Sequence, residues 1–93
     1  MRLIESNMLN AVHNKANWSK DNTEVTYVTE VNSSAIYLHG HRIATYVHYT
    51  GTMVPNANTF SQWPTATTRS RLRALGINAS VKSGQAMING ELL

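Results

Sequence analysis

A chain of 93 residues, with 14% charged and no cysteine, forms one small domain and excludes disulfides, thiolate chemistry and Cys-ligated zinc. No segment approaches the ~20 apolar residues of a membrane span. The opening "MRLIESNMLNAVHNK" turns polar too early for a secretory signal, so a soluble cytoplasmic protein is expected. The net charge of +3 is unevenly spread. Residues 1–31 hold Arg2, Lys15 and Lys20 against Glu5, Asp21, Glu24 and Glu30; residues 32–93 hold Arg42, Arg69, Arg71, Arg73 and Lys82 against Glu91 alone. A long stretch of one sign attracts anions, whether acidic protein or nucleic acid, within a screening length of roughly 8 Å.

Leu3, Ile4, Met8, Leu9, Val12 and Ala16 recur mostly at three- and four-residue steps, which predicts a helix from about Arg2 to Asn17. Trp18 is expected to fold back on it. In "TEVTYVTEV", Val25, Tyr27, Thr29 and Val31 alternate with a more polar face, and the β-branched content predicts a strand. "AIYLHGHRIATYVHY" reads as a hairpin turning at His39-Gly40, where glycine supplies a positive φ. On the return strand Ile43, Thr45, Val47 and Tyr49 should share one face, and Arg42, Ala44, Tyr46 and His48 the other. "TGTMVPNANTFSQ" is turn-rich, with a short edge strand at Thr52–Val54.

Pro64 with Thr65 and Thr67 marks a second helix start, and Gly76 after Leu75 its stop. The tail splits into strands Ile77–Val81 and Gln85–Ile88 around Lys82-Ser83-Gly84. The expected order is α-β-β-β-(β)-α-β-β, an α+β domain with helices against an antiparallel sheet.

The blocks "NWSKDNTEV", "YLHGHRIATY", "WPTATTRSRLRALGIN" and "GQAMINGE" resemble, in order, blocks of small bacteriophage accessory proteins. Those proteins carry an LHG…IA hairpin, a Trp, a Thr-Thr-Lys/Arg-Ser-Arg-Leu helix and a closing hairpin. The resemblance covers nearly the whole chain. It implies expression inside an infected bacterial cell and action by contact with host or phage macromolecules, with counter-defence inhibition of the anti-CRISPR kind as one instance.

Catalytic and metal-binding arrangements are not expected. No H-E-x-x-H, G-x-S-x-G or phosphate-cradling G-x-x-x-x-G-K is present. His39 and His41 bracket a glycine turn, which should splay their rings, and His48 should pack beside Tyr46 on the sheet. No cofactor is implied.

The candidate binding surface is the second helix. At about 100° per residue, Leu72, Leu75 and Thr68 form its buried stripe. Arg69 and Arg73 lie together on one flank, able to address adjacent phosphates or a carboxylate group, and Arg71 lies on the opposite flank. Ser70 and Ala74 form a small outward strip. Arg42 and Lys82 would extend the basic surface, and Tyr37, Tyr46, Tyr49 and Trp63 are candidate stacking residues, although Trp18 and Trp63 are read first as core or lid. Two partners fit: an acidic patch on a host protein or protein–nucleic-acid complex, favoured because the basic footprint is thin, and nucleic-acid backbone. The protein is expected as a monomer or homodimer.

Overall fold

Four two-residue turns, at Asp21-Asn22, His39-Gly40, Ser83-Gly84 and Asn89-Gly90, have positive φ at both positions. This is the backbone twist that matches two paired antiparallel strands. In the computed structural model, which describes residues 1–93, these turns organise every strand but one. Helix α1 (Leu3–His13) comes first, followed by β1 (Trp18–Lys20), β2 (Thr23–Val28), a 3-10 turn at Thr29–Val31, β3 (Ser33–Leu38), β4 (His41–Val47) and β5 (Thr52–Pro55). Two helices follow, α2 (Ala57–Gln62) and α3 (Ala66–Ala74), and then β6 (Ala79–Lys82), β7 (Gln85–Ile88) and β8 (Glu91–Leu92). The strands make a five-stranded antiparallel sheet in the order β1-β2-β3-β4-β5 and a three-stranded one in the order β6-β7-β8. The α+β class expected from the sequence is the class observed.

Several elements differ from expectation for identifiable reasons. Helix α1 ends at His13 because Lys15 takes a left-handed backbone, and the chain reverses there. The segment around Trp18 pairs as a strand, Trp18 opposite Val25, while Trp18 still packs against the core. The strand predicted to run to Val31 stops at Val28, and left-handed Asn32 lets the chain turn into β3. Helix α2 lies where a turn-rich segment was expected; it is capped by the Asn56 side chain accepting from the Thr59 N–H, and Phe60, fully buried, anchors it. The last hairpin adds β8.

The register of β4 is shifted by a bulge. Ile36 lies opposite Ala44 and Tyr37 opposite Arg42, so Ile43 is the extra residue. Ile43 and Ala44 are consecutive and both buried, which strict alternation forbids. Arg42 is thereby moved away from the face carrying Ala44 and Tyr46 and onto the face carrying Thr45 and Val47.

The core lies on one side of the large sheet. Met8, Ala11 and Val12 of α1, Val25, Ile36, Leu38, Ile43 and Ala44 of the sheet, Phe60 of α2, and Leu72 and Leu75 of α3 form one cluster with Ile77, Ala79 and Ala86. Helices α2 and α3 each touch β4 and also meet the small sheet, α2 at β7 and α3 at β6. Helix α1 packs beside α3 and over β1 and β2. No helix is long and apolar enough to cross a membrane.

Candidate functional site: a basic groove between two helices

Helix α3 is set by its ends. The Thr65 hydroxyl accepts from the Thr68 N–H at 3.1 Å at the start, and Gly76 (φ +90°) follows its end. Thr68, Leu72 and Leu75 point into the core as the spacing predicts. Arg71 does not go to solvent. It is only 5% exposed, with Nη1 donating to Glu5 Oε2 at 2.9 Å and Nε donating to Thr23 Oγ1 at 3.1 Å.

Glu5 is the carboxylate that the charge map of residues 32–93 did not contain. It sits in the first turn of α1, where the helix dipole favours an anion, and it is 4% exposed. Oε2 accepts from the Ser70 hydroxyl at 2.5 Å, and Oε1 receives a long contact of 3.4 Å from the Arg2 N–H. Burial on its own raises its pKa; the bonds from Ser70, Arg71 and Arg2 and the Arg71 charge outweigh burial and hold the carboxyl below its ordinary value. Ser70, expected as part of an outward strip, is therefore tied to Glu5, and Ala74 packs against the core.

Above this neutralised pair lies a shallow groove of about 440 Å³ between the start of α1 and the outer side of α3. Arg2, Arg69, Ser70 and Arg73 line it, with Met1 and Ala66. Arg73 Nε donates to the Ala79 carbonyl at 2.7 Å, which orients the guanidinium and leaves its two terminal nitrogens for a ligand. Since Glu5 is already matched by Arg71, the groove presents the charges of Arg2, Arg69 and Arg73 uncompensated. Met1, which lines the groove, is 79% exposed, so an apolar side chain flanks the cations. Arg2 was not among the sequence candidates. Only the docking of α1 against α3 brings it in, and no spacing in the sequence signals that.

The remaining candidates lie elsewhere. Arg42 lines a separate depression with Thr45, Val54 and Asn56, and Lys82 another at the β6–β7 turn. Tyr46 is half-buried among rings, edge-on to His13 and His48 at centroid distances of 5.6 and 4.8 Å. His48 does pack beside Tyr46, and its Nε2 is 2.7 Å from the hydroxyl of fully buried Ser34. Burial, followed by the charges of Lys15 and His13, lowers the His48 pKa. Tyr49 is 88% exposed. Trp63 stacks on His41 at 4.1 Å and 24°, acting as a lid over a pocket of about 320 Å³ that His39 and His41 also line.

Over residues 1–92 the chain matches the family described as Kyanoviridae Gp96 protein. No curated protein and no solved structure matches it.

Proposed function

The chain belongs to the Kyanoviridae Gp96 protein family, a family of phage proteins, and from that premise we propose that it is a non-enzymatic accessory protein that docks on an acidic segment of a host protein and modulates it. The observation that supports this most is the groove in which Arg2, Arg69 and Arg73 converge over a carboxylate already neutralised by Arg71. Three guanidiniums around one depression suit two or three carboxylates on one short stretch of a partner, and Arg forms the stronger, bidentate pairs with carboxylates. Exposed Met1 beside them suits an apolar anchor on that partner. Membership of a phage family supports action inside the infected cell, and inhibition of a defence component is one form that such docking takes.

Nucleic-acid backbone is the second reading, and the separation of Arg42 and Lys82 from the groove argues against it. A strand of phosphates needs a track of cations, whereas these basic positions fall on separate surfaces.

The test is affinity capture from host lysate with identification of the retained protein. Arg69→Glu with Arg73→Glu should fold normally and lose it; Lys82→Glu, remote from the groove, should keep it. Retention by the double variant would sink the proposal.

A further inference from the structure

The large sheet has a second face that lies outside the main core cluster, although Ser33 and Ala35 at its centre are buried. Its residues form three rows across the strands, read directly from the register. The first is Ser19, Glu24, Tyr37 and Arg42; the second is Thr26, Ala35, Thr45 and Val54; the third is Val28, Ser33, Val47 and Thr52. None of these side chains belongs to the core cluster, although Val28, Ala35, Tyr37, Val47 and Val54 are apolar. The second and third rows hold no charge and only small or β-branched side chains, so nothing bulky projects from them. Arg42 and Val54 lining one depression with Thr45 confirms that these strands present them on the same side.

The first row carries the only two charges. Glu24 and Arg42 stand on either side of Tyr37, one strand away each, about 9.6 Å apart across two interstrand spacings. They are not paired with each other: the one ion pair in the molecule is Glu5–Arg71. Thr26 Oγ1 donates to Glu24 Oε2 at 3.0 Å, which orients the carboxylate and leaves its other oxygen open.

We propose that this face is the contact surface of a homodimer, with a second copy of the chain stacked on it about a two-fold axis running along β3. That axis places Tyr37 over Tyr37 of the second copy and exchanges the two sides of the row. Glu24 then meets Arg42 of the second copy, and Arg42 meets Glu24 of the second copy. The charges that cannot reach each other within one chain are satisfied twice across the interface, the self-complementarity that an isologous contact requires. Two sheets of this kind pack face to face about 10 Å apart with their strands within about 30° of each other. The face measures roughly 20 by 20 Å, or about 400 Å² per copy, which places the contact in the weak, transient class. The concentration range in which to look for it is about 10 μM to 1 mM.

Sedimentation equilibrium and dilution NMR over that range test the dimer. The native chain should associate reversibly, with dilution shifts confined to the three rows. Arg42→Glu and Glu24→Arg should each weaken association about tenfold or more by opposing like charges, and the two together should restore it. Both side chains are exposed, so the variants should fold, and circular dichroism checks this. A native chain that stays monomeric at about 1 mM overturns the proposal. So does a double variant as weak as either single one, or a face whose dilution shifts lie elsewhere.

Discussion

Arg71 Nη1 lies 2.9 Å from Glu5 Oε2, and each side chain is about 5% exposed, so a buried ion pair joins helix α1 to helix α3 across 66 residues of sequence. Both members bond further: Thr23 accepts from the Arg71 Nε, and Ser70 donates to the Glu5 carboxylate. No buried side-chain nitrogen or oxygen is left without a partner.

Breaking this pair from one side leaves an uncompensated charge in the core. Glu5→Gln or Arg71→Met alone should cost about 3–5 kcal/mol in urea unfolding. Glu5→Leu combined with Arg71→Met should recover most of that loss, because two apolar side chains strand no charge. A double variant as unstable as the singles would show that the pair acts through Thr23 and Ser70 instead.

The same pair sets the response to acid. The Glu5 carboxyl titrates below its unfolded value near 4.5, so the folded chain binds fewer protons than the unfolded one in that range. Its contribution is complete above that value and is lost as pH falls through the lowered folded one. Thermal melts of the native chain should fall in this window, while those of the Glu5→Leu/Arg71→Met variant should fall less.

His48 adds a second, higher window. Its folded pKa lies below the unfolded value near 6.5, since burial and the charges of Lys15 and His13 oppose protonation. The neutral ring is favoured in the fold, so stability is complete above about 6.5 and declines as pH falls through the depressed value. His48→Gln should flatten the slope of stability just below pH 6.5, even with lower stability overall. An unchanged slope would assign the titration to another group.

How far the fold could be read depended on whether its cause was local. The His39-Gly40 hairpin, the capped α3 and the stripe of Thr68, Leu72 and Leu75 follow from propensity and period within a few residues, and they stand as expected. Asn89-Gly90 was an equally local turn signal, missed because β8 is only two residues long. Helix α2 was hidden because one buried residue, Phe60, carries it, and one apolar residue has no period. The bulge at Ile43 was illegible because it arises from pairing with β3. The groove was half legible. Arg69 and Arg73 are neighbours by helical geometry alone, but the burial of Arg71 and the arrival of Arg2 depend on how α1 docks.

The turn at His39-Gly40 offers a test of local strain. His39 holds φ +52° with a Cβ, in a turn type that favours asparagine there. His39→Asn should stabilise the chain by about 0.5 kcal/mol, raising Tm by roughly 2–4 °C. A fall in Tm would show that the imidazole contributes more at the rim of the Trp63 pocket than its backbone costs.

If the groove binds phosphate rather than carboxylate, the salt dependence has a fixed ceiling. Three arginines neutralising three phosphates give a log–log slope of affinity against salt of about −2.7 for duplex DNA. A measured slope well beyond that would require Arg42 or Lys82 to take part as well, so the value distinguishes a local contact from a wrapped one.

The order in which the strands pair has a kinetic consequence. Every strand of the large sheet pairs with its nearest neighbours along the chain, β1 with β2 through to β4 with β5, so each step closes only a short loop. Such a sheet assembles early and quickly, since little chain entropy is lost before the contacts reward it. Closure of α1 onto α3 spans 66 residues and must follow. The clasp between Glu5 and Arg71 should therefore be absent from the rate-limiting step, and removing it should leave the folding rate nearly unchanged while the folded chain opens much faster. The lifetime of the folded state is then set at the seam between its first helix and its third.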